Sequence, residues 1–140
     1  LRRCTVAKQT TDLCTSPLAQ AVAAHYLQSG RYPQAVARAC AEYQRRMQAL
    51  TEGLAARLGD LVQFVQPAGG MFVWVTFDKS IAPQKLFDAA VAAHVLFVPG
   101  KAFYADHANL HSMRLSFAAP DVAQIEQAVD RLAQAFAQAA

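Results

Sequence analysis

The chain has 140 residues, 54% of them hydrophobic and only 16% charged, with a net charge of +3. That is enough apolar material to bury a real core in one domain or a piece of one, and it excludes wholesale disorder. The positive charge is thin, with Arg2–Arg3 and Arg45–Arg46 as its basic pairs, so no basic stripe marks a nucleic-acid reader, and no apolar run approaches the ~20 residues of a membrane span.

In chain order, Leu1–Thr11 reads as a short helix running into the polar knot Thr10–Thr11–Asp12. Ser16 is a good N-cap and Pro17 a good first helical residue, so a second helix is expected from there to about Ser29, stopped by Gly30. Its Ala19, Ala21, Ala23 and Ala24 suit close packing against another element. A third helix is expected from near Pro33 to Leu58, with Tyr43, Met47, Leu50, Leu54 and Leu58 as an apolar stripe. Glu42, Gln44, Arg45, Arg46, Gln48 and Glu52 form its wet side. At roughly 39 Å it is long for so small a domain and suits a connection between two.

After Gly59–Asp60 the spacing changes to alternation. Leu61–Gln66 and Met71–Phe77 read as strands joined by the turn Pro67–Ala68–Gly69–Gly70. The second carries Met71, Val73, Val75 and Phe77 on one face and Phe72 and Trp74 on the other, so it should be central in its sheet. Ile81–His94 reads as a helix burying Leu86, Phe87, Ala90 and Val91; Val95–Val98 reads as a strand ended by Pro99–Gly100. Met113–Ala118 is a strand, and Pro120–Asp121 open a last helix with Val122, Ile125, Val129, Leu132 and Phe136 inward. The expected fold is a two-layer α+β arrangement, a small mixed or antiparallel sheet with helices packed on one face. Residues 1–58 are expected to form a helical segment and residues 59–140 a small α/β domain.

The chemistry on offer is narrow. In Met113–Ala118 alternation sends Met113, Leu115 and Phe117 to one face and Arg114, Ser116 and Ala118 to the other. Arg114 is therefore a guanidinium beside bulky apolar residues, either turned to water or placed to grip an anion; its planar fork holds a carboxylate in two places, which Lys cannot imitate. His107 and His111 stand four apart next to Asp106, but in a polar loop without a third ligand at motif spacing, so no metal site is expected. His25 and His94 fall in helical patterns. Gly69–Gly70 and Pro99–Gly100 match no phosphate loop. Lys8, Lys79, Lys85 and Lys101 sit in no plainly apolar pocket. Cys4, Cys14 and Cys40 are odd in number and lack C-x-x-C spacing, which fits unpaired thiols in a reducing, cytoplasmic setting. The residues alone thus give one candidate binding group and no catalytic one.

Three ordered blocks go further: PAGGMFVWV at Pro67–Val75, VLFVPGKAF at Val95–Phe103 and MRLSFA at Met113–Ala118. Together they resemble blocks of the fold-type I, class I/II aminotransferases, which use pyridoxal 5′-phosphate, and the GGMFVW form looks most like the 2-aminoadipate, kynurenine and aromatic branch. AKQTTDLCTSPLAQ, Ala7–Gln20, resembles the segment that follows the cofactor lysine in that branch. The resemblance implies the C-terminal part of such an enzyme, a homodimer exchanging an amino group between an amino acid and a 2-oxo acid. It places the Arg that holds the substrate α-carboxylate on Arg114. Phe72, Trp74 and Phe103 are expected to fill the core rather than to shape a side-chain pocket. The family's Schiff-base lysine, the Asp facing the pyridine nitrogen, and the Asn and Tyr near the cofactor oxygen are expected upstream of Leu1, in a longer protein, so this chain alone should bind no cofactor and be inactive. A winged-helix regulator carrying an aminotransferase-like effector domain is the alternative.

Overall fold

The computed structural model describes residues 2–12, 14–106 and 109–140, and it divides into two compact units, Leu1–Cys40 and Ala41–Ala140. The first contains α1 (Arg2–Thr11), α2 (Pro17–Gln28) and the start of α3 (Arg31–Leu58). Lys8 pairs with Asp12 and also donates to Thr15 Oγ1 at 2.8 Å, tying the end of α1 to the following turn. The start of α2 follows from its residues: the Ser16 hydroxyl accepts from the Ala19 N–H and Pro17 fills the first turn, where a missing N–H costs nothing. Gly30, at φ +71°, turns the chain into α3. No residue of α1 or α2 is buried, and Val6, Leu18, Val22 and Leu27 stand exposed.

In the second unit the expected stripe of α3 is the one that goes inward. Leu50, Leu54 and Leu58 are buried, and Tyr43 and Met47 pack against the same cluster. A 3₁₀ turn, Gly59–Leu61, leads to β1 (Val62–Phe64), which is followed by β2 (Phe72–Phe77), α4 (Pro83–Ala92), β3 (Val98–Pro99), a second 3₁₀ turn (Gly100–Phe103), β4 (Ser112–Ser116) and α5 (Val122–Ala139). The strands lie in the order β1-β2-β4-β3, and every neighbouring pair is antiparallel. β2 is therefore internal, as its two apolar faces predict. Val73, Val75 and Phe77 of β2, with Met113 and Leu115 of β4 and Phe117 just beyond it, share one buried cluster with the inner faces of α3, α4 and α5. Each such side chain contributes roughly 1.5–3 kcal/mol through burial. This is the expected two-layer α+β fold, with the sheet resolved as purely antiparallel.

Two close fits lock the helices together. A Cβ on Gly53 would touch Val129 at 3.4 Å, so α3 and α5 approach to ordinary contact there, and Arg57 pairs with Asp130 across the same seam. Asp121 caps α5 reciprocally: its carboxylate accepts from the Gln124 N–H at 2.8 Å, and Gln124 Oε1 accepts from the Asp121 N–H at 2.9 Å.

Four local expectations are corrected. α4 begins at Pro83 rather than Ile81, since proline is suited to the first turn, and Ile81 is instead a core side chain. Val91 is exposed, not buried, because the inner face of α4 is set by Leu86 and Ala90, one turn apart. The strand expected at Val95–Val98 shrinks to Val98–Pro99, because the Val95 N–H is used to close α4 onto the Ala90 carbonyl. Arg46 is not on the wet side of α3: it pairs with Glu42 at 2.8 Å and donates to the Ala118 carbonyl just past β4.

Candidate functional site

The face of the sheet turned away from the helices carries the candidate site. With Met113 and Leu115 inward, alternation sends Ser112, Arg114 and Ser116 outward, and the register sets Arg114 opposite Trp74 on β2 and Val98 on β3. Phe72, paired with Ser116, is then the diagonal neighbour of Arg114 on the same face, within reach of a long side chain. The turn Gly100–Phe103 brings a second ring back from beyond β3. That turn depends on glycine: a Cβ on Gly100 would lie 1.9 Å from Ser112 Oγ and 3.0 Å from the Ser112 carbonyl oxygen. Ser112 is fixed beneath it, fully buried and donating to the Asn109 carbonyl at 2.6 Å.

The result is an aromatic setting for the guanidinium. Arg114 Cζ lies 3.9 Å from the Phe72 ring centroid and 4.5 Å from that of Phe103. Trp74 meets Phe103 edge-on at 5.5 Å and Tyr104 at 6.1 Å, widening the apolar wall. Among the described residues, Arg114 Nε is the one buried side-chain nitrogen or oxygen without a hydrogen-bond partner, and no ion pair involves this side chain. Such an orphan donor costs about 1–3 kcal/mol, and each ring contact offsets about 0.5–2 kcal/mol of it. A half-buried guanidinium held by rings and left without a counter-charge has the chemistry to receive an anion such as a carboxylate. Phe72, Trp74 and Phe103 thus do not fill the core as expected; strand alternation puts the first two on the opposite face, and Phe72 and Phe103 remain exposed.

The other candidates are not brought here. His111 is half-buried and packs edge-on against Phe77 at 5.6 Å, Asp106 is exposed, and His107 lies outside the described residues. Among the described residues no group of three His, Cys, Asp or Glu is placed to hold a metal. His25 and His94 are exposed, as are Cys4, Cys14 and Cys40. Asp78, held below its ordinary value chiefly by hydrogen bonds from Ser80, belongs to the turn after β2. Lys8, Lys79, Lys85 and Lys101 are all exposed and Lys8 is already paired with Asp12, so no amine here sits in the desolvated bed that a phosphopyridoxyl aldehyde requires. What the described residues bring together is the outer sheet face around Arg114. The sequence singles out Arg114 and, by alternation, puts Phe72 and Trp74 on one face of β2, but nothing in it brings Phe103 to that face.

The chain is similar to known proteins over nearly its whole length. The family described as aminotransferase class I and II matches residues 4–132. An aromatic-amino-acid aminotransferase from Thermococcus litoralis is 34% identical over 96% of this chain and 32% of its own length. A crystal structure of an α-aminoadipate aminotransferase from Thermus thermophilus, complexed with N-(5′-phosphopyridoxyl)-L-leucine, aligns at TM-score 0.84 and 34% identity, over 94% of this chain and 33% of the other. A multiple-substrate aminotransferase from Thermococcus profundus gives 0.87 and 34%, over 97% and 34%. Two uncharacterized HTH-type transcriptional regulators of Bacillus subtilis match more weakly, at 29% and 28% identity. The chain spans about a third of the length of the aminotransferases it resembles. By the extent of the family match, over residues 4–132, the chain belongs to the aminotransferase class I and II family.

Proposed function

We propose that this chain is the small-domain part of a pyridoxal-phosphate-dependent aminotransferase, exchanging an amino group between an amino acid of the 2-aminoadipate or aromatic type and a 2-oxo acid. The observation that carries the reading is the unpaired Arg114 guanidinium on the outer sheet face, flanked by Phe72 and Phe103. Both substrates of such a reaction carry a carboxylate next to the reacting carbon, so one fixed cation serves both half-reactions. Arg114 would hold that carboxylate by charge-assisted hydrogen bonds, orienting the reacting carbon. Trp74, Phe103 and Tyr104 would exclude water on one side of it. The cofactor supplies the electron sink when bound, and its Schiff-base lysine, with the remaining ligands, would come from a segment outside this chain and from a homodimer partner. The isolated chain would then be inactive.

The test is transamination by the full-length protein that carries this chain, with 2-aminoadipate, an aromatic amino acid and 2-oxoglutarate as probes. Turnover of one of these amino acids is the expected result. No turnover, together with sequence-specific retention of duplex DNA in a gel-shift assay, would overturn it in favour of a regulator; the regulators' lower identity to this chain speaks against that outcome.

A further inference from the structure

The rings around Arg114 raise a question that carboxylate binding alone leaves open: why two large aromatic side chains stand on this face at all. Phe72 is 38% and Phe103 45% exposed, so core filling does not account for them. They approach from different elements, β2 and the turn after β3, yet both place a ring against the same guanidinium carbon, at 3.9 and 4.5 Å. Between them the side chain loses freedom, and its Nε is closed off from solvent without any acceptor. An oxygen arriving from outside cannot reach a closed-off Nε, so the guanidinium offers its two terminal nitrogens, Nη1 and Nη2, as a forked end.

Resting on the carboxylate reading above, we propose that Phe72 and Phe103 are positioning residues: they hold the Arg114 guanidinium by cation–π contact so that a carboxylate is accepted end-on, through Nη1 and Nη2, with Nε excluded. The flat rings suit this task because they restrain a planar cation without competing for its donors, which a carboxylate neighbour would do. The fit at Gly100 belongs to the same device. It seats the turn against Ser112, two residues before Arg114 on β4, and thereby sets where Phe103 lies.

The experiment uses the full-length protein with arginine labelled in nitrogen-15, assigning the Arg114 Nε–H signal by its loss in Arg114→Lys, and 3-phenylpropionate as an amine-free carboxylate probe. In the parent protein the Nε–H exchanges slowly with water, and the probe binds while leaving that proton without a new acceptor. Phe72→Leu and Phe103→Leu should each speed the exchange and weaken the probe about threefold to tenfold, the worth of one such ring contact. Phe72→Tyr and Phe103→Tyr should restore both, which a mere loss of packing volume would not explain. Unchanged probe binding in Arg114→Lys would sink the carboxylate reading itself. Loss of binding in Arg114→Lys with parent-like exchange and affinity in both Leu variants would sink the positioning proposal and leave that reading standing. Should a Leu variant fail to fold, the Tyr pair decides: parent-like exchange and affinity support the proposal, and losses as large as tenfold contradict it.

Discussion

Replacing Gly100 with Ala probes how the fold and the site are joined. The added Cβ would lie 1.9 Å from Ser112 Oγ, 2.9 Å from Ser112 Cβ and 3.0 Å from its carbonyl oxygen. Neither partner can swing away cheaply, since Ser112 is fully buried and its hydroxyl is engaged with the Asn109 carbonyl. The turn that carries Phe103 must then lift off β4, at a cost of about 1–3 kcal/mol typical of overpacking. Urea denaturation should show a lower midpoint with an unchanged slope. Ser112→Ala alone should lose about 1 kcal/mol with its hydrogen bond. The double variant should lose less than the sum, because the worst contact is gone while the one at 2.9 Å remains. Gly69→Ala, with nothing within 4 Å of its added carbon, is the control and should change stability by less than about 0.5 kcal/mol. A Gly100→Ala midpoint equal to that of the parent would refute the reasoning.

Other outcomes follow from particular residues. His94 closes α4 in the left-handed region at φ 60°, with the Val95 N–H on the Ala90 carbonyl and its own N–H on Val91, a capping position made for glycine. His94→Gly removes about 1–2 kcal/mol of backbone strain and adds somewhat less unfolded-chain entropy, so thermal unfolding should rise by about 2–4 °C; a fall would contradict it. Arg45 and then Arg46 hold the Glu42 carboxyl below its ordinary value of 4.5. The stability this gives is present above that value and is lost as pH falls through the lower, folded-state one. Glu42→Gln should therefore flatten the acid limb of a stability-against-pH curve, and an unchanged limb would remove Glu42 from the account.

Much of the architecture of the second unit was legible because one face of each long element there is dry. The α3 stripe from Tyr43 to Leu58 and the α5 stripe from Ile125 to Phe136 are repeats that only a buried helix face requires. Alternation in Phe72–Phe77 gave both the strand and its central place. The errors fall where a nonlocal partner decides. Val95 has strand-like character, yet its N–H is taken by a helix cap. Arg46 looks solvated until the chain beyond β4 presents the Ala118 carbonyl to it. At the site, Arg114 was visible as a lone cation on an apolar strand. Its aromatic neighbours were not, because register decides which rings share its face and the Gly100–Ser112 contact decides where Phe103 returns.

The most direct test of the central claim is kcat/KM for transamination by Arg114→Ala in the full-length protein, measured beside its cofactor absorption. Truncating one partner of a close charged pair typically costs about 2–5 kcal/mol, which is roughly thirtyfold to several thousandfold in kcat/KM. The account predicts a loss in that range, carried mostly by KM, with the absorption spectrum unchanged because Arg114 is assigned to the substrate carboxylate and not to the cofactor. A variant with the parent's kcat/KM would contradict it, and Arg114 would then be no more than a cation on a solvated strand.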